Sequence, residues 1–191
     1  PVAALPEVFA EWYGGRHGWR PDPEQVRVFT DVLQAVDLAL WLGTEPGDGV
    51  VLFTPVYPPF FRCITGIGRR VVDCPLDPQR WHLERDALDE AIDRAAANGT
   101  RTRAIIPVDL AGLPVDRDRL YAIAKKHGLR VIEDAAQSMG ASRNGKRIGS
   151  FGDLEKGWYF QSDSVPPLAE MQAGVEHGMG MNNIGLSDNF V

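Results

Sequence analysis

The sequence has no apolar run approaching the ~18 residues of a membrane-crossing helix, which leaves no membrane span to expect among its 191 residues. Cysteine is scarce. Cys63 and Cys74 make no CxxC pair, and the four histidines, His17, His82, His127 and His177, fall at no ligand spacing, so no metal site is expected and the histidines read as surface residues. Positive charge is in deficit: the formal charge is -6, with acids and bases interspersed, and no basic stripe exists to neutralise a nucleic-acid backbone. Nucleic acid and membrane are therefore not expected partners. The chain opens at Pro1 without the basic and apolar segments of a signal peptide, and cytoplasmic residence with reduced thiols is the expectation.

What is present is the composition of a globular chain, 44% hydrophobic and 24% charged, long enough for one well-buried core. Short β-rich runs at residues 26–29, 50–54, 70–74, 103–107 and 130–133 alternate with amphipathic stretches. Val36, Ala39 and Leu40 share one helical face, as do Leu88, Ala91, Ile92 and Ala95, and Leu120, Ile123 and Ala124. The alternation predicts an α/β fold of three layers, a mainly parallel sheet flanked by helices. Gly43 and Gly128 stand where a left-handed residue ends a helix, and Asp116 where a cap begins one. Pro46-Gly47-Asp48-Gly49 and Asn144-Gly145 read as tight turns, the second beside a short antiparallel strand. Residues 1–160 read as one domain and 161–191, rich in Gly, Met, Asn and Pro, as a poorly determined tail.

Open parallel sheets bind ligands beyond the carboxyl ends of their strands, so the residues following each strand are the candidates. Thr30-Asp31-Val32-Leu33-Gln34 opens a helix whose free N–H groups suit an anion such as phosphate, or Asp31 and Thr30 serve as a plain N-cap. In Thr54-Pro55-Val56-Tyr57-Pro58-Pro59-Phe60 two prolines hold the loop extended and present the Tyr57 ring to a flat ligand, or the ring belongs to the core. Asp109 and Asp134 place carboxylates at the mouth of the sheet. Asp134 follows the apolar pair Val131-Ile132, and a carboxylate so buried needs a cationic or donor partner: a protonated pyridine nitrogen, or one of the arginines.

Other motifs fall short. Gly140-Ala141-Ser142-Arg143-Asn144-Gly145-Lys146 resembles a P-loop until Arg147 replaces the magnesium-binding hydroxyl, and Gly149-Ser150-Phe151-Gly152 is not a nucleophile elbow.

Residues 6–94, with Trp12-Tyr13, Arg16-His17-Gly18-Trp19, Glu45-Pro46-Gly47-Asp48-Gly49 and the Tyr57 loop, resemble class I/II aminotransferases of the MalY type, which include carbon-sulfur β-lyases. Residues 103–153, with Ile105-Ile106-Pro107-Val108, Val131-Ile132-Glu133-Asp134-Ala135-Ala136-Gln137 and Gly145-Lys146-Arg147-Ile148-Gly149-Ser150-Phe151-Gly152-Asp153, resemble the DegT/DnrJ-type sugar aminotransferases. The chain thus looks like a chimera of two relatives that share the fold-type-I architecture dependent on pyridoxal 5'-phosphate (PLP), without the C-terminal small domain. The resemblance implies that Tyr57 stacks on the PLP ring, Asp134 pairs with the pyridine nitrogen, backbone around Val32 and Leu33 receives the phosphate, and Gln137 approaches the ring hydroxyl. Asp109 takes the slot of an asparagine in MalY-type enzymes, with a weak contact to the same edge of the ring. It also implies a small-molecule amino donor and acceptor, and a homodimer.

Both families carry the cofactor on a lysine downstream of the aspartate, and the chain has four lysines: Lys125, Lys126, Lys146 and Lys156. Only Lys156 is eligible as the catalytic residue. The sugar-aminotransferase pattern G-D-I-G-x-F-S-F-x-x-x-K, laid on Gly152-Asp153-Leu154-Glu155, puts its lysine at Asp163 instead. Seven residues of extended chain separate the two positions, roughly 23 Å. Three functions follow as alternatives: a PLP-dependent transaminase or lyase acting on an amino acid or amino sugar, a catalytically silent PLP-binding domain, or a truncated, recombined fragment without function.

Overall fold

The computed structural model describes residues 4–79, 82–83 and 86–148 and the backbone of 157–160; the tail at 161–191 lies outside the described residues. Helix α1 (Leu5–His17) precedes α2 (Val32–Gly43), and then strands and helices alternate: β1 (Gly49–Thr54), α3 (Pro59–Gly66), β2 (Arg70–Pro75), α4 (Ala87–Ala97), β3 (Thr102–Ile106), α5 (Arg117–His127) and β4 (Arg130–Asp134). A hairpin of β5 (Ser142–Arg143) and β6 (Lys146–Arg147) follows, then β7 (Gly157–Phe160). The main sheet has the order β2-β1-β3-β4-β7, and every pair in it is parallel.

Period-two alternation explains the layers. Val50, Leu52, Ala104, Ile106 and Ile132 pack with α2 and α3 on one face. Val51, Ile105 and Val131, their neighbours in sequence, pack with α4 and α5 on the other. Both faces are covered, as a parallel sheet requires, and each wholly buried Leu or Ile contributes about 1.5–3 kcal/mol. The three-layer α/β expectation holds. The chain leaves β1 for β2 on one side and later builds β3 and β4 on the other. The crevice between the carboxyl ends of β1 and β3 is therefore the topological switch point, where such sheets bind ligands.

Two turn expectations hold for the stated reasons. Gly47 has φ 88°, and Asn144 and Gly145 have φ 50° and 76°, closing the β5–β6 hairpin with two left-handed residues. Gly128 ends α5 at φ 65°, and the Asp116 side chain caps its start by accepting the Arg119 N–H.

Four expectations need correction. Residues 26–29 form no strand: Val28 is 45% exposed and only Phe29 turns inward to the core, so the β-branched run has no neighbour to pair with. Gly43 is not left-handed; α2 ends on extended Thr44, and what Gly43 provides is space, since a Cβ there would lie 2.9 Å from Arg130 Cδ. Pro58 and Pro59 do not extend the Tyr57 loop but start α3, where a missing N–H costs nothing. His17 is no surface residue. Half-buried, its ring lies 4.6 Å from that of Tyr13 and against Gly140, and burial with Arg147 and Arg16 nearby lowers its pKa.

Candidate functional site

Alternation decides which side chains reach the switch point. Val108, just past β3, and Asp134, the last residue of β4, join in a parallel bridge, with the Asp134 N–H donating to Pro107 O at 2.9 Å and the Asp109 N–H to Asp134 O at 3.0 Å. Val108 packs on the α2/α3 face, together with Val32, Leu33, Val56 and Tyr57. Asp134, two residues beyond Ile132, falls on that same face.

Each candidate there has a local cause. Asp31 caps α2 by accepting the Gln34 N–H at 2.8 Å, and Gln34 Oε1 in turn accepts from Thr30 N–H at 3.4 Å and Thr30 Oγ1 at 3.1 Å. This reciprocal cap leaves the first-turn N–H groups of Val32 and Leu33 outward, with the positive end of the helix dipole behind them. The Tyr57 carbonyl accepts the Phe60 N–H at 3.1 Å, and its ring meets that of Phe60 edge-on at 5.8 Å. Gln137 Oε1 accepts the N–H of Ala111, a residue held at φ 55°, which fixes the amide and leaves its Nε2 without a hydrogen-bond partner among the described residues.

Asp134 is the least satisfied of these groups. One carboxylate oxygen accepts the Ala136 N–H at 3.0 Å, and the other accepts nothing among the described residues. Burial pushes its pKa up to about 6, with the Ala136 N–H pulling against the shift and the charge of Asp109 adding to it. A carboxylate of this kind fits a cationic N–H donor. The residues present thus match PLP in kind: a ring-sized aromatic, a carboxylate short of a partner, an amide donor and a helix start.

Asp109 behaves differently. One residue past Val108, its side chain lies on the opposite face and is 2% exposed. Its carboxylate accepts from Arg117 at 2.7 Å, Ser138 Oγ at 2.6 Å and the Val115 N–H at 2.9 Å. Arg117, 1% exposed, also reaches Glu133 at 3.0 Å, and Glu133 accepts the Tyr121 hydroxyl at 2.8 Å. The arginine therefore serves Asp109 and Glu133, and Asp134 has no ion pair among the described residues. Sequence reasoning did not single out Arg117. The signal was its spacing, since Arg117, Leu120 and Ala124 are the buried residues of α5 and lie on one stripe.

Lys156 lies outside the described residues. Gly157, next in the chain, pairs with Val131, and Phe160 pairs with Asp134. Cys63 and Cys74 are buried unbonded thiols, burial raising the first to about 12 and the second to about 11. Among the described residues no cluster could hold a metal ion, and no helix is long and apolar enough to cross a membrane.

A doubly wound parallel sheet with a desolvated aspartate at the switch-point end of its fourth strand is the large-domain fold of the fold-type-I PLP-dependent aminotransferases. Residues 28–161 match the model of the DegT/DnrJ/EryC1/StrS aminotransferase family, and the chain belongs to that family. The match begins well inside the MalY-like segment and runs through the sugar-aminotransferase-like one. The chain is similar to UDP-N-acetyl-3-dehydro-alpha-D-glucosamine 3-aminotransferase of Acidithiobacillus ferrooxidans, at 38% identity over 71% of this chain and 35% of the relative. It spans about a third of the length of such curated relatives. Among solved structures it resembles DesV of S. venezuelae at 29% identity and TM-score 0.60, over 77% of this chain and 37% of that one. Cystalysin from Treponema denticola, which contains a pyridoxal 5'-phosphate cofactor, shares the fold at 22% identity and TM-score 0.59, over 71% and 35%.

Proposed function

We propose that this chain is the cofactor-binding part of a PLP-dependent aminotransferase acting on an amino acid or amino sugar. The carrying observation is Asp134, a carboxylate pushed up to about 6 with one oxygen lacking a donor among the described residues, on the face that also carries Tyr57 and the α2 start. In this reading Asp134 holds the proton on the pyridine nitrogen, Tyr57 covers the ring, Gln137 Nε2 donates to the ring hydroxyl, and the N–H groups of Val32 and Leu33 receive the phosphate. Bound PLP supplies the electron sink that transfer of an amino group requires. Amino donor and acceptor are small molecules, as the sugar-nucleotide relatives suggest. A homodimer belongs to the same reading, supported by the exposed apolar stripe of Leu38, Trp41 and Leu42 on α2.

A second reading, a silent PLP-binding domain, is favoured by the register of β7. Lys156 immediately precedes the residue that pairs with Val131, three residues short of Asp134 along β4. Titration of the apoprotein with PLP tests both readings. Binding in the wild type, weakened in Tyr57→Ala and Asp134→Asn, is expected; equal affinity in all three would remove the pocket described. Robust turnover of an amino donor to its keto acid would exclude the silent reading.

A further inference from the structure

Asp109 and Asp134 are coupled through the backbone and separated by the sheet. The two hydrogen bonds of the Val108–Asp134 bridge fix the chain after β3 against the end of β4. Alternation then turns Asp134 toward α2 and α3, and Asp109 toward α5. There Arg117 ties Asp109 to Glu133, the residue beside Asp134, so both neighbours of the Asp134 backbone are anchored to one guanidinium. Two carboxylates against one cation leave a net negative charge, softened by the neutral donors of Ser138, Val115 and Tyr121.

We propose that Asp109, held by Arg117 on the far side of the sheet, is a positioning residue that sets the location and the charge state of Asp134, and is not itself in contact with the cofactor. This rests on the assignment of Asp134 to the pyridine nitrogen. Among the described residues few other titratable groups stand on the elements around Asp134, and Asp37 of α2, beside the Cys63 thiol of α3, is one of them. Asp31 opens α2, its carboxylate committed to the cap; Tyr57 precedes α3; Arg62 of α3 is exposed; Glu133, Arg117 and Tyr121 lie across the sheet. Among the described residues Asp109 is the one whose charge acts on Asp134. A carboxylate that opposes the ionisation of its neighbour keeps that neighbour short of a cation until a protonated ring nitrogen arrives.

The test is the carboxyl-carbon NMR titration of Asp134 in the apoprotein, run beside the pH profile of PLP affinity. In the wild type the midpoint is expected near 6. Asp109→Asn removes the charge and keeps one acceptor oxygen of the two that serve Val115 and Ser138, and is expected to lower the midpoint by about half a unit or more. The acid limb of PLP binding should move down with it. Arg117→Lys keeps the cation but loses the two-armed fork, and is expected to hold the midpoint while weakening PLP binding at all pH values. If Asp109→Asn does not fold, Asp109→Ser, smaller and likewise uncharged, takes its place, and the same downward shift is expected. An Asp134 midpoint that stays put in the charge-removing variant overturns the inference. Failure of the wild type to bind PLP at any pH, with the midpoint still moving, overturns the proposed function and leaves the coupling of Asp109 to Asp134 in place.

Discussion

At neutral pH the Asp134 carboxylate carries a charge that the surrounding protein does little to support. Its folded pKa of about 6 lies above the ~3.9 of an unfolded aspartate. Below pH 4 the group is protonated in both states and contributes nothing. Between pH 4 and 6 the unfolded chain gives up the proton first, so stability falls, and above 6 the deficit is constant at about 1–3 kcal/mol. Asp134→Asn should therefore raise the melting temperature of the apoprotein at pH 7.5, leave it unchanged near pH 4, and weaken PLP binding. A melting temperature lowered by the substitution at pH 7.5 would mean that the carboxylate has a partner already. Asp31 offers the converse case. Its side chain is a good cap, but it sets a negative charge at the helix start assigned to the phosphate. Asparagine caps as well without the charge. Asp31→Asn should tighten PLP binding about threefold, the scale of one exposed like-charge contact, with thermal stability nearly unchanged. Isothermal titration at low and high salt would show the gain shrinking as salt rises.

Among the elements, α1 and the β5–β6 hairpin depend on one another although over a hundred residues separate them. The Gly140 N–H donates to the buried Tyr13 hydroxyl at 3.1 Å, and Arg147 donates to His17 O at 2.5 Å and Gly140 O at 2.7 Å. Gly140 is held at φ 75°, and a Cβ on it would stand 2.3 Å from the His17 ring. Gly140→Ala should destabilise the protein by about 2 kcal/mol through backbone strain and this clash. Trp12 and Trp19 flank the rings involved, so the loss should appear as a change in tryptophan emission at lower denaturant. These contacts show what the sequence could and could not convey. Strands β1 to β4 were legible because apolar runs bounded by turn residues have few alternative uses, and the desolvation of Asp134 was legible because it follows such a run directly. Residues 26–29 look equally β-branched, but a strand needs a neighbour, and pairing is not a local property. The surroundings of Asp109 were not legible: its position after β3 is plain, but which face it takes depends on the bridge to Asp134. Arg117 escaped notice because charge suggests a surface, while its spacing on α5 put it on the buried stripe.

At the scale of the whole molecule, family membership and fold are secure while the span is short, about a third of each curated relative. The lysine question therefore turns on the register of β7. Parallel pairing sets Gly157 opposite Val131 and Phe160 opposite Asp134, so the strand climbs toward the site by three residues, about 10 Å. In sequence Lys156 directly precedes Gly157, and Asp163 comes three residues after Phe160. We infer from this register that position 163, rather than 156, is the one from which a lysine would serve the cofactor. The unmodified protein should accordingly give no PLP adduct on Lys156 after borohydride reduction, and Asp163→Lys should gain one, with the absorbance of the bound cofactor shifting on reduction. Peptide mapping of the reduced protein reads the outcome. An adduct on Lys156 in the unmodified chain would show that this lysine reaches the cofactor by a path other than β7, and the silent-domain reading would then fall with the register on which it rests.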